Sequence, residues 1–351
     1  MNSRTFLIQT SLFLVVSLPA FAHHAATATF DTSQTMEIEG YVKEFAFNNP
    51  HIAITLAVTD ENGMEKDWVA SGPAVAGFRR WGWTENTIEE GQYLRLVGRK
   101  ARHNGPMILM ERGDVEGGKL FELNPDDGSL VRVLEGPKPD QTPDLEIPEL
   151  QLANGLPNLS GAWLATGVGG SGSMVRGIAE FTPTGQALQD AWDATKDPAY
   201  LTCEPRGLQR VVSTNQTVRI TQRDDYVLIE QEDNNTPRLI YLDGRGPATT
   251  EHTLRGHSAA HYESDTLVVE TTQLLIGASS GAGNILSGQA TITERYSRAD
   301  DEQHAALAVD ITYTDPINLA APLKAGWRKL QTGDYEFAVT NCQPPILVSA
   351  D

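Results

Sequence analysis

The feature that most constrains this chain is a hydrophobic period of two. Ile52, Ile54, Leu56 and Val58 alternate with His51, Ala53, Thr55 and Ala57. Successive side chains of a strand point to opposite faces, so this segment buries one face of a sheet and needs partner strands. Asp60-Glu61-Asn62-Gly63 signals a reversal, and Lys66-Asp67-Trp68-Val69 reads as the returning strand. Pro73 opens a short helical stretch that runs to Trp81 and stops at Gly82. Tyr93 to Gly98 alternates again, and Met107 to Glu111 supplies a further strand. Five or six short strands with one short helix predict a small closed barrel of OB type over residues 23–123.

Residues 124–158 break the pattern. Pro125, Pro137, Pro139, Pro143, Pro148 and Pro157 are mixed with Asp and Glu, a composition that reads as an acidic linker. Over residues 159–351 short β runs recur at hairpin spacing, among them Tyr226 to Ile229, Leu239 to Leu242, Thr266 to Glu270 and Leu307 to Tyr313. Thr184 to Ala194 is the one helical stretch, with Thr182 or Thr184 as its cap. Such a run of strands predicts a second barrel, antiparallel and lipocalin-like, whose closed edges leave an interior cavity. The fold class is therefore all-β, two barrels in tandem.

The first 22 residues belong to neither barrel. Arg4 precedes an apolar run from Phe6 to Leu18, Pro19 breaks it, and Ala20-Phe21-Ala22 has the small-x-small form of a cleavage site. This predicts a cleaved signal peptide and a periplasmic or secreted protein, the run being too short for a membrane span. The full chain carries 27 Lys and Arg against 46 Asp and Glu, a formal charge of −19. So acidic a surface repels phosphate backbones and excludes nucleic acid as the expected partner. The two cysteines, Cys203 and Cys342, predict a disulfide in an exported chain. In the chain-entropy treatment it contributes about 4–5 kcal/mol.

Cleavage after Ala22 makes His23 the first residue, with His24 behind it. A free amine and an imidazole on one residue chelate a transition metal, copper first in the divalent series. His24 points away on an extended chain, so the second imidazole is expected from His51, which follows the rigid Asn49-Pro50, with His103 as a third. Met107 and Met110 offer soft ligands for Cu(I), or core filling instead. A rival reading from another class is a small lipophilic ligand inside the second barrel. A third is an enzyme of hydrolase or isomerase type there, with His257 and Glu270 as acid–base pair across a hairpin. His257 and His261 lie roughly 13 Å apart on a strand and cannot share one metal ion. The cluster Phe78-Arg79-Arg80-Trp81-Gly82-Trp83 is expected to plug the first barrel, with Trp81 inside.

Residues 23 to about 123 resemble the exported bacterial DUF6152 family, whose function is uncharacterised. The resemblance rests on His23-His24, Asp31, Ile38-Glu39-Gly40-Tyr41-Val42, Phe47-Asn48-Asn49-Pro50-His51, Asp67-Trp68, Phe78 to Thr84 and Glu90-Gly91. It implies a fold and a location and brings no activity. The chain departs from that pattern near His103 to Glu111, where a longer, Met-containing hairpin stands. The C-terminal half is similar to a broad group of secreted β-rich domains without an assigned reaction. The shared features are Leu159-Ser160-Gly161-Ala162-Trp163, Phe181 to Ala187, Ile240 to Arg245, Gly256-His257-Ser258 and Asp265 to Thr271.

Overall fold

The structure is a computed structural model. It describes residues 30–48, 51–73, 75–79, 83–101, 105–123, 130–133, 148–165, 174–176, 179–193, 196–197, 204–214, 216–232, 234–280, 283–302, 304–333 and 335–337. His23, His24, His103, Trp81, Cys203, Cys342 and the leader lie outside the described residues.

The N-terminal half is built on β1 (Phe30–Ala46), β2 (Ala53–Thr59), β3 (Glu65–Ser71), the short helix α1 (Val75–Arg79), β4 (Tyr93–Ala101) and β5 (Met107–Val115), with β6 (Gly118–Leu123) and β7 (Leu130–Val133) extending the sheet beyond β5. β1 is 17 residues long and pairs with two neighbours, β4 along its first part and β2 along its last. Register shifts at Asp31/Thr35 and Val42/Glu44 bend it, as bulges do at barrel corners. At Gly40 a Cβ would lie 2.1 Å from the Ala57 carbonyl oxygen, so this close approach of backbones admits only glycine.

Strands β3 and β5 pair in parallel and close the ring β1-β2-β3-β5-β4. A ring with an odd number of strands cannot alternate throughout, so five strands force a parallel pair. This is OB topology, as the alternation predicts. The helix between β3 and β4 buries Val75 and Phe78 in the barrel. The plug is made by Phe78, Trp83 and Phe121, with Phe78 and Trp83 at 4.7 Å and Trp83 and Phe121 at 5.8 Å, centroid to centroid. Trp83 is buried among these rings, while Trp81, expected inside, lies outside the described residues. Leu130–Val133 pairs with β6, so the Pro-rich stretch contributes a strand where irregular chain was expected.

The C-terminal half comprises β8 (Gly161–Ala165), β9 (Met174–Arg176), α2 (Pro183–Asp190), α3 (Leu208–Val211), β10 (Val218–Gln222), β11 (Tyr226–Gln231), β12 (Asn234–Tyr241), β13 (His257–Glu263), β14 (Thr266–Thr272), β15 (Gly277–Ser280), β16 (Gly283–Leu286), β17 (Thr291–Arg298), β18 (Ala306–Thr314) and β19 (Leu323–Thr332). Nine of these strands close a barrel in the order β8-β10-β11-β12-β13-β14-β17-β18-β19, with β19 returning to β8. The expected closed barrel is present, and its strand number adds a detail. Nine strands, like five, require a parallel pair, and it falls at β12–β13. The connection across residues 242–256 therefore runs from one end of the barrel to the other, and it leads into β13 through Gly256 at φ +63°. A Cβ there would meet the Thr272 carbonyl oxygen at 2.3 Å.

The interior of this barrel is packed. Tyr313, Trp327 and Ile292 are among its buried side chains, and α3 caps the end at which the 242–256 connection enters β13, the Leu208 amide donating to the Leu254 carbonyl at 2.8 Å. Tyr313 Oη donates to the Gln209 carbonyl and Trp327 Nε1 to the Val212 carbonyl, both at 2.9 Å, which anchors the cap to the staves. Helix α2 starts at Thr182, whose hydroxyl accepts from the Gly185 amide at 3.1 Å, the N-cap expected from the sequence. It ends at Asp190, before the Ala194 that the pattern suggested.

Candidate functional site

His51 precedes β2 at the rim of the first barrel. The Ile52 amide donates to the Pro73 carbonyl and the Gly72 amide to the Ile52 carbonyl, which staples this corner. His51 Nδ1 lies 3.0 Å from the Gly72 carbonyl oxygen. A carbonyl only accepts, so Nδ1 carries the proton and Nε2 is left with its lone pair. The imidazole keeps an exposed edge, yet the protein around it is dense. Desolvation is the first cause that holds its pKa below the ordinary 6.5, the Arg206 guanidinium is the second, and the Gly72 bond opposes both. The result is a neutral imidazole of fixed tautomer, the state in which histidine binds metals. Burial, Arg210 and Arg255 pull Arg206 itself down to about 10, against Asp197. The positive charge facing His51 works against a dication at Nε2.

A second concentration of chemistry lies inside the C-terminal barrel. Arg238 and Glu294 form a buried two-pronged ion pair, Nη2–Oε1 2.6 Å and Nη1–Oε2 2.9 Å. Arg238 also donates through Nε to Ser258 Oγ at 3.0 Å and through Nη2 to Thr271 Oγ1 at 2.7 Å. Tyr296 Oη donates to Glu294 Oε2 at 2.5 Å. Burial works to lower the Arg238 pKa, and Glu294 more than reverses it. Burial first and Glu294 second push the Tyr296 phenol well above its ordinary range. Between this network and α3 lies a cavity of about 20 Å³ lined by Leu208, Val212, Gln231, Arg238, Arg255 and Trp327 together with neighbouring apolar side chains. That is room for about one water molecule and not for a lipophilic ligand.

The proposed acid–base pair is not assembled in that interior. In the β13–β14 ladder His257 faces Thr272 and Ala259 faces Glu270, while the buried phase is Ser258, Ala260, Val269 and Thr271. His257 and Glu270 therefore project outward, a consequence of the strict two-residue period. His257 Nε2 bonds to the Arg245 carbonyl at 3.0 Å and its ring stacks on Tyr241 at 5.4 Å, while Glu270 is exposed. His261 pairs with Glu263 on the surface. Met110 is buried in the N-terminal core, which corrects its reading as a soft ligand. Asp31 accepts from the Ser33 amide, the Ser33 hydroxyl and Gln34, and so shapes the β1 bulge.

Sequence reasoning missed the interior network, and it missed Arg79 as a bridge between the barrels. Arg79, at the end of α1, donates to the Glu336 carbonyl at 2.8 Å and sits 4.0 Å from the buried Glu232 carboxylate of the second barrel. Tyr335 Oη donates to that carboxylate at 2.8 Å, with the Arg79 guanidinium 5.5 Å from the Tyr335 ring centroid. Burial first and Glu232 second push the Tyr335 phenol up to about 12.

Fold and site together define an all-β protein of two closed barrels, the first of OB topology with a neutral histidine at its rim. Residues 12–107 match the model of a family of unknown function, DUF6152. The matched stretch runs from Leu12 through β4 to the first residue of β5, and so contains His23, His51 and His103. No curated protein and no solved structure matches the chain. Among the described residues no helix is long and apolar enough to cross a membrane, and no group of three or more His, Cys, Asp and Glu side chains gathers as a metal site.

Proposed function

We propose that this protein is exported to the periplasm or beyond and binds a transition metal, copper first. Cleavage after Ala22 exposes His23, which supplies its amine and Nδ1, and His51 supplies Nε2. His103 is the further candidate for that second imidazole. What supports the reading is the state of His51. Its Nδ1 proton is engaged by Gly72 and its Nε2 lone pair is the remaining donor, with the opposing Arg206 charge to be overcome by the chelate at His23. These features suit the residue to a metal, and the soft, nitrogen-rich set suits copper, nickel or zinc over calcium or magnesium.

The test is calorimetric titration of Cu(II) into the processed chain, with its N-terminus verified by mass analysis. His51→Ala is expected to weaken binding by tenfold or more, about 1.4 kcal/mol. Equal affinity in His51→Ala, or a mature chain that does not start at His23, removes the proposal.

A further inference from the structure

We propose that the C-terminal barrel holds a single halide ion between Arg255 and Arg238. The site is independent of any metal at His51. Arg238 and Arg255 are the charged side chains lining the cavity of about 20 Å³. Arg238 is matched by Glu294, yet its bonds to Ser258, Thr271 and Glu294 engage four of its five N–H groups and leave one on Nη1. Arg255 differs. Its guanidinium donates to the Arg206 carbonyl at 3.3 Å, and no carboxylate pairs with it among the described residues.

The charge balance of the enclosure follows. Arg238 and Glu294 cancel, and Tyr296 stays neutral because burial and Glu294 hold its proton. Arg255, itself only partly buried, then leaves one positive charge in a cavity walled mainly by Leu208, Val212, Val218, Ile229 and Trp327, with Gln231 and the neutral Tyr296 as the other polar side chains. Burial first and Arg238 second pull Arg255 down to about 10, so it is still cationic at neutral pH. Outside the cavity Arg210 is matched by Asp197 at 2.5 Å. An uncompensated charge among apolar walls is costly, and a water molecule does not neutralise it. A monoanion does, and it accepts from the spare Nη1–H of Arg238 as well. The volume, close to that of one water molecule, admits a chloride and excludes carboxylates, sulfate and phosphate.

The experiment is thermal unfolding of the full chain at constant ionic strength in gluconate, an anion too large for the cavity, titrated with sodium chloride or sodium acetate. Saturable stabilisation by chloride and none by acetate is expected, on the order of 5 °C at a hundredfold excess of chloride over Kd. Arg255→Gln abolishes it, while the control Arg245→Gln on the surface leaves it intact. Stabilisation by acetate as well marks an anion effect not confined to the cavity and overturns the proposal. No response to chloride, or an unchanged response in Arg255→Gln, overturns it too. Should Arg255→Gln fail to fold, bromide soaked into crystals of the unaltered chain decides. An anomalous peak between the two guanidinium groups supports the site, and its absence there sinks it.

Discussion

Removing the carboxylate of Glu294 isolates what holds the second barrel's interior together. Glu294→Ala strips Arg238 of two charge-assisted hydrogen bonds and leaves its guanidinium, 6 % exposed as a side chain, without a counter-charge. Tyr296 Oη loses its acceptor in the same step. Breaking one partner of a buried pair costs about 3–5 kcal/mol. A domain of this size loses roughly 2–4 °C of melting temperature per kcal/mol, so the C-terminal transition should fall by about 6–20 °C. Near-ultraviolet circular dichroism, through the buried Trp163, Trp327 and Tyr313, follows that transition. The paired replacement Arg238→Met with Glu294→Leu removes both charges and should recover most of the loss. A single variant that melts within about 2 °C of the parent chain refutes the reasoning. So does a double variant no better than the single one, because the loss would then come from packing and not from a stranded charge.

Other consequences follow from the same structure. The His51 imidazole should titrate below 6.5 by NMR, and Arg206→Gln should raise its midpoint by removing the second cause of the shift. A folded pKa lowered in this way stabilises the fold fully above the unfolded value near 6.5, and the contribution disappears as pH falls from there toward the folded midpoint. His51→Gln should flatten that part of the stability profile, and an unchanged profile contradicts the assignment. Thr182→Ala removes the α2 cap and the 2.6 Å bond from Thr182 to the Ile317 carbonyl, and should cost about 1 kcal/mol in urea unfolding.

The two barrels were legible in the sequence because period-two alternation survives in strands with one buried face, as in Ile52 to Val58 and Leu307 to Tyr313. Their closure was less legible. It depends on the parallel pairs β3–β5 and β12–β13, and pairing across long connections leaves no local pattern. The interior network did leave a signal. Arg238 keeps phase with Ile240, and Glu294 with Ile292 and Tyr296, so both charges fall on the buried face of their strands. The same rule, applied to β13, puts Ser258 inside and His257 outside, which is why the pairing of His257 with Glu270 fails. At His51 the sequence marked a rigid corner after Asn49-Pro50, but the Gly72 carbonyl that fixes its tautomer is 21 residues away and had no signature.

The metal reading is tested most directly by electron spin-echo envelope modulation of the processed chain loaded with one equivalent of Cu(II). Coordination through Nε2 of His51 leaves its protonated Nδ1 remote from the copper, and that remote nitrogen gives imidazole modulation. The account predicts two such imidazole contributions, falling to one in His51→Ala. A modulation pattern indifferent to His51→Ala contradicts it.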